Sequence, residues 1–440
     1  MAHCSTASPR ARPESRYTDV AESFFEQGGR TIGRRQIYPT TEPRERAFLV
    51  TAELKHPGLD RRWSSEQSLA ELALLADTAG ARVVGRTVQR LESRNPATYI
   101  GKGKVQEVVS ERAARHYTTV IFDDELSPSQ QRNLEKELDV KVLDRTALIL
   151  DIFAQHARTR EGRLQVELAQ MQYILPRLRG QWSHLERMEG RIGTRGPGET
   201  QLETDRRLVR EKISSLKRQI EQVRSQRALH RRQRARQGVP VVSLAGYTNA
   251  GKSTLMHALS GADVLVEDRL FATLDPVTRR VRLPSGGQAL LTDTVGFIQK
   301  LPTQLVAAFR ATLEEMEEAA VLLHVVDVTH PAAAEQAQTV EDTLAKLGLA
   351  ERPRLTVLNK VDLLKGEDGT PVQRFEDVDR RGWFLEPWAR DGVPVSAAKS
   401  WGLDELRYEI ESALAEAAEA QRYAGNGRLG GPEPRHSLLG

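Results

Sequence analysis

Four short stretches in the second half of the chain carry residue types that could do chemistry. Gly246, Tyr247, Thr248, Asn249, Ala250, Gly251, Lys252 and Ser253 follow the apolar run VPVVSLA, and Thr254 opens TLMHALS, which has helical spacing. Glycines let the backbone curl until its amide N–H groups point at phosphate oxygens, and the helix start adds partial positive charge. Lys252 would reach the β- and γ-phosphates, and the Ser253 hydroxyl would bind Mg2+. A strand before and a helix after form the context that separates a phosphate loop from a chance Gly-rich turn.

The other three stretches decide which nucleotide. Asp293, Thr294, Val295 and Gly296 follow the strand-like QALLT. An Asp at a strand end can hold Mg2+ through water, and the Gly296 amide can touch a γ-phosphate and sense its loss. Asn359, Lys360, Val361 and Asp362 choose the base. A carboxylate at Asp362 can accept hydrogen bonds from N1–H and the 2-amino group of guanine, whereas adenine has an acceptor at N1 and no 2-amino group. Asn359 and the Lys360 stem would brace that loop, and Ser396, Ala397 and Ala398 fit the last base-contacting loop.

A mobile segment must also supply a threonine that closes over Mg2+ and γ-phosphate. Within Phe271, Ala272, Thr273 the choice is Thr273, with Thr278 second and an ordinary loop threonine the plain reading of either. Lys252, Thr273 and Gly296 are thus the expected catalytic residues, and Ser253, Thr273 and Asp293 (through water) the expected metal ligands. The position after Gly296, where many such enzymes carry a water-orienting glutamine, is Phe297. An apolar ring cannot align or deprotonate water, so intrinsic hydrolysis is expected to be slow. Asn249 is of the type and position seen in GTPases that recruit K+; it could equally serve only to stabilise the loop's turn.

These residues need a scaffold, and the pattern of the chain supplies one. VPVVSLAG, QALLTDTVG, VLLHVVDV and RPRLTVLNK read as buried strands with helices between them, placing an α/β phosphate-loop domain over 238–420. Over 46–145 strand-like and helical runs alternate, which argues for a smaller N-terminal parallel α/β domain. Over 146–237 the apolar residues switch to long helical spacing: Leu164, Leu168, Met171, Leu175, then Val209, Ile213, Leu216, Ile220, Val223. Two such seams joined by a loop suggest an antiparallel helical hairpin. Residues 1–45 and 421–440 lack periodicity and read as disordered.

The 440 residues are enough for several cores, and 39% hydrophobic with 28% charged residues is a globular composition. No apolar run reaches the ~20 residues needed to span a bilayer. A single cysteine, Cys4, leaves no disulfide framework, so a cytoplasmic protein is expected. A peripheral membrane association stays open. The net charge of +4 is small, but positive residues crowd the middle. Arg177, Arg179, Arg187, Arg191 and Arg195 could neutralise phosphates while Trp182 and His184 stack on unpaired bases. A solvated charged loop is the alternative reading, and the same holds for the basic stretch from Arg224 to Arg236.

GYTNAGKSTL, FATLDP, DTVGFI and NKVD, with YIGKGK, DDELSP, LDRTALILDIFAQHARTREGRLQVELAQ and RGPGETQLETDRR outside the phosphate-loop domain, make the chain resemble the HflX GTPases of the Obg-HflX group. The resemblance covers about residues 46 to 420. It implies GTP and GDP as ligands and GTP hydrolysis stimulated by the ribosome. It also implies an N-terminal half seated on the large ribosomal subunit, which makes Arg179, Trp182, Arg187, Arg191 and Arg195 the expected rRNA contacts, and splitting or rescue of stalled or hibernating ribosomes. A monomer is expected. Members of that family also lack the glutamine, in agreement with Phe297. An ATP site in the first domain could only use Gly101, Lys102, Gly103 and Lys104, where a structural turn or an rRNA phosphate contact is the preferred reading. A regulatory switch or assembly adaptor acting through protein partners is the alternative function.

Overall fold

The structure is a computed structural model, and it describes residues 44–55, 63–180, 197–236, 238–261, 270–302, 315–366, 369–378 and 388–426. The first 43 residues, the hairpin loop 181–196 and residues 427–440 lie outside it. The described residues from Arg44 onward form one compact unit.

Its first sheet is four parallel strands in the order β2-β1-β3-β4: β1 Arg46–Leu54, β2 Arg82–Leu91, β3 Thr119–Phe122 and β4 Lys141–Asp144. Local chemistry starts its helices. Ser64 and Gln67 form a capping box at the head of α1 (Ser65–Thr78), as do Ser127 and Gln130 for α3 (Pro128–Leu138). Gly101 precedes α2 (Lys102–Arg115), and its amide donates to Gln89 Oε1 at 2.8 Å. Lys104 pairs with Glu107 at 2.7 Å. Asp144 caps α4 (Arg145–His156) by accepting from Ala147 N.

Thr159 caps α5 (Arg160–Ile174), which runs against the long helix α6 (Pro197–Arg236). Leu164, Leu168, Met171, Ile213, Leu216, Ile220 and Val223 form the seam between them. Leu175 and Val209, expected there, lie outside that cluster. The ion pairs Glu167–Lys212 and Glu161–Arg227 show that the two helices are antiparallel. The basic run through Arg236 is helical.

The second sheet has the order β10-β9-β8-β5-β7-β6, built from β5 Val241–Gly246, β6 Val277–Arg282, β7 Gln288–Asp293, β8 Val321–Asp327, β9 Arg354–Asn359 and β10 Val393–Pro394. All neighbours are parallel except β6, which pairs antiparallel with β7. Strand β6 is not foreshadowed in the sequence, because VTRRVR on a sheet edge buries little and has no strand-like apolar run. Helices α7 (Lys252–Ser260), α8 (Ala333–Lys346) and α9 (Leu403–Asn426) complete this layer. Helix α9 corrects the expected tail at 421, since it stays helical through Asn426. No helix among the described residues is long and apolar enough to cross a membrane.

Each sheet has a core of its own, and a third cluster is shared between them. The shared cluster joins Leu49, Leu69, Leu72, Ile149 and Phe153 from the first half to Tyr247, Phe271, Val295, Phe297 and Ile298 from the second. Every member of the second set belongs to a stretch singled out for nucleotide chemistry or follows one directly. The candidate site is therefore packed from behind by the N-terminal half.

Candidate functional site

Strand β5 ends in Gly246, and helix α7 begins at Lys252, so the loop between them is held at both ends. A side chain at Gly246 would run into the Val325 carbonyl, and one at Gly251, whose φ is +91°, into the Asn359 amide. Asn249 is exposed and adopts φ 62°, a conformation asparagine tolerates better than most residues. The loop's Thr248 N donates to Phe297 O at 2.8 Å, and Phe297 N donates to Gly246 O at 3.0 Å. Through these two bonds the backbone after Gly296 lies against the loop. A Cβ at Gly296 would stand 2.9 Å from Thr248 and 3.0 Å from Lys252 Nζ, so only glycine lets the two segments meet.

Lys252 is buried, and its ammonium donates to the Gly246 and Tyr247 carbonyls at 3.1 and 2.8 Å. Burial pulls its pKa down from 10.5 to about 8. A lysine whose folded pKa lies below its unfolded one penalises the fold fully below about pH 8, and the penalty fades as pH rises toward 10.5. Nucleotide-free Lys252→Met should therefore be more stable than the parent at pH 7 by up to about 3 kcal/mol. Denaturant titrations should show that gap narrowing as pH rises past about 8. A gap that widens with pH would mean the ammonium is not penalised by burial.

Three oxygens from three separate segments meet beside Lys252. Ser253 Oγ lies 2.8 Å from Thr273 Oγ1 and 2.7 Å from Asp293 Oδ2. Asp293 is buried, burial pushes its carboxyl pKa up, and its Oδ1 has no hydrogen-bond partner. An orphaned carboxylate oxygen among hydroxyls is a donor set of hard oxygens, which suits a small divalent cation. Thr278, the second threonine considered, sits in β6 and faces Thr292 across the sheet at 3.0 Å, away from this cluster.

Asn359, buried at the end of β9, ties three loops together. Its amide nitrogen donates to Ala250 O at 2.8 Å, and its oxygen accepts from Ala397 N at 3.1 Å. Lys360 takes φ 69° and pairs with Asp327 at 2.8 Å. Asp362 is half-buried on the short turn Val361–Leu363, anchored where buried Val361 donates to Val395 O. Ser396, buried below, accepts from Lys399 N at 3.0 Å and so shapes the last loop with Ala397 and Ala398.

Behind the loop stands a polar cluster that no sequence motif marks. The Tyr247 hydroxyl donates to Glu71 on α1, and the same hydroxyl accepts from Gln299 N at 2.8 Å. Arg145, 1% exposed, pairs with Glu71 and, at 2.8 Å, with Asp123. Lys300, just past Phe297, reaches Asp123 and Asp124 at 2.6 and 2.8 Å. No local periodicity announces such a cluster; the only sequence signal is polar side chains in otherwise apolar runs. The Phe297 ring is 2% exposed in the shared core.

For the basic residues the structure corrects one assignment. Arg177 turns inward: it binds Asp144 at 3.1 Å, Leu126 O at 2.7 Å and Gln131, with its guanidinium 3.5 Å over the Tyr173 ring. A buried carboxylate at Asp144 needs that partner, so Arg177 is not available to RNA. Arg179 lies on the 3-10 turn Arg177–Gly180; Trp182, His184, Arg187, Arg191 and Arg195 lie outside the described residues.

Comparison with known proteins adds three consecutive family matches. Residues 66–154 match a family described as "GTP-binding GTPase N-terminal", 156–234 one described as "GTP-binding GTPase Middle Region", and 241–360 one described as "50S ribosome-binding GTPase". The GTPase HflX of Caldanaerobacter subterraneus is 52% identical over 376 residues, covering 86% of this chain and 82% of that protein. Its namesake in Alkalihalophilus pseudofirmus is 50% identical over 349 residues, 79% of each chain. That of Escherichia coli is 45% identical over 329 residues, 74% of this chain and 77% of the other.

Proposed function

Because the chain belongs to the HflX family of GTPases, we propose that it engages the large ribosomal subunit, and that GTP binding and hydrolysis there split or rescue stalled ribosomes. The observation that carries this reading is the Ser253, Thr273 and Asp293 oxygen cluster beside buried Lys252, together with a Phe297 ring sealed in the core. A site that binds GTP but has no side chain to orient water at that position needs its trigger from a partner.

In this reading the amides of Gly246–Ser253 hold the phosphates, Lys252 spans the β- and γ-phosphates, and the Gly296 amide touches the γ-phosphate. Thr254, Phe271, Ala272, Thr294 and Val295 frame the nucleotide. Ser253, Thr273 and Asp293 would hold Mg2+, which would neutralise charge building on the phosphate oxygens. K+ beside Asn249 would add to that neutralisation. Asp362 reads guanine, steadied by Asn359, Lys360, Ser396, Ala397 and Ala398. The hairpin loop with Arg179, Trp182, Arg187, Arg191 and Arg195 is assigned to rRNA.

GTP turnover is expected to rise at least tenfold when purified large subunits are added. Co-sedimentation with those subunits should fall steeply between 50 and 200 mM salt, as roughly tenfold or more per few phosphate contacts released. Unstimulated turnover, or sedimentation indifferent to salt, would argue for an adaptor that acts through proteins instead.

A further inference from the structure

The segment that carries Thr273 is pinned to the N-terminal half on both sides of that residue. On one side Phe271 is buried, adopts φ 58°, and meets the Phe153 ring of α4 edge-on with centroids 4.6 Å apart. A phenylalanine in the left-handed region is strained, so surrounding contacts must hold it there. On the other side the Asp275 carboxylate accepts from Arg158 N at 2.9 Å, from Thr159 N at 2.8 Å and from the Thr159 hydroxyl. Thr159 is itself the cap of α5 and accepts from Gly162 N at 2.9 Å. The two donating amides and the positive helix end make this a strong seat for a carboxylate. Between the pins, Thr273 reaches Ser253 at 2.8 Å.

We propose that Asp275 is a positioning residue for GTP hydrolysis: by gripping the head of α5 it holds Thr273 at the metal site, and it makes the helical hairpin register whether the γ-phosphate is present. The inference rests on the assignment of Thr273 to Mg2+ made above. A γ-phosphate and metal would add to what holds Thr273, while α5 holds Asp275; two residues apart, neither can move far alone. Loss of γ-phosphate therefore loosens the grip, and α5 passes the change to α6 through their shared apolar seam.

The test compares affinities for GDP and for a non-hydrolysable GTP analogue, both with Mg2+, in the full-length protein. Asp275→Ala is expected to weaken the analogue about tenfold or more, the size of a lost charge-assisted hydrogen bond, and to leave GDP within about twofold. Gly162→Ala is a second route to the same result, since its methyl would run into the Asp275 carboxylate while alanine suits the helix. Amide exchange at residues 158–162 should be slower with the analogue than with GDP in the parent, and alike in both variants. Equal weakening of both nucleotides, or no change in their ratio, overturns the proposal. Thr273→Ala separates the two layers: if it too binds the analogue normally, the metal assignment has failed, whereas a weakened Thr273→Ala beside an unchanged Asp275→Ala sinks the Asp275 role alone.

Discussion

Asp362→Asn is expected to turn the site from guanine to xanthine. Guanine offers two donors, N1–H and the 2-amino group, and a carboxylate can accept both. An asparagine there points its own NH2 at the 2-amino group, so one bond becomes a donor facing a donor. A hydrogen bond to a charged group contributes about 1.5–3 kcal/mol, so losing one should lower GTP affinity by about 10- to 10²-fold. Xanthine carries a carbonyl at C2 beside N1–H, which matches the amide at both atoms, and XTP binding should improve in step. The loop itself should survive, because its anchors are the buried Val361 and the Asn359 bonds to Ala250 and Ala397 rather than Asp362. Competition of GDP and XDP for a fluorescent nucleotide reads both changes. A variant that still prefers GDP as strongly as the parent would remove the basis for reading this site as guanine-selective.

Arg145→Met should cost about 3–5 kcal/mol of stability, a large share of the 5–15 kcal/mol by which domains are usually stable. Arg145 pairs with both Glu71 and Asp123, and all three are buried. Removing it leaves two carboxylates in a poor solvent for charge, with Lys300 reaching only Asp123 of that pair. Lysine at this position should recover part of the loss, since a single ammonium cannot serve both carboxylates as a planar fork does. The exposed pair Lys55–Glu92 provides the contrast: Lys55→Ala should cost no more than about 1 kcal/mol. Nucleotide affinity should drop with Arg145→Met as well, because Glu71 also holds the Tyr247 hydroxyl of the phosphate loop. Urea titrations and GDP binding measure the two effects. An Arg145→Met protein as stable as the Lys55→Ala protein would show that the cluster between the sheets contributes little.

Most of the nucleotide site was legible in the sequence because its logic is local. A phosphate loop needs its glycines, lysine and serine within one turn, and each runs straight from a strand into a helix whose period is visible in the residues themselves. The alternation of strand and helix over 46–144 was legible for the same reason, as were the two apolar seams at 4-3 spacing. The edge strand Val277–Arg282 was not, since an edge carries no apolar signature. Nor was the inward turn of Arg177, because charge along a chain does not say which carboxylate lies across from it.

The residues alone thus determined the kind of ligand: periodicity and motif spacing are properties of neighbours in the chain, and the groups that grip a nucleotide are carried by short loops. The folded chain decided which threonine reaches Ser253 and Asp293, that Phe297 is walled into a core shared by both sheets, and that Glu71, Asp123 and Arg145 brace the phosphate loop from more than a hundred positions away. Such meetings depend on how two sheets pack, and packing is set by the summed burial of many side chains, a quantity that no single stretch of sequence displays.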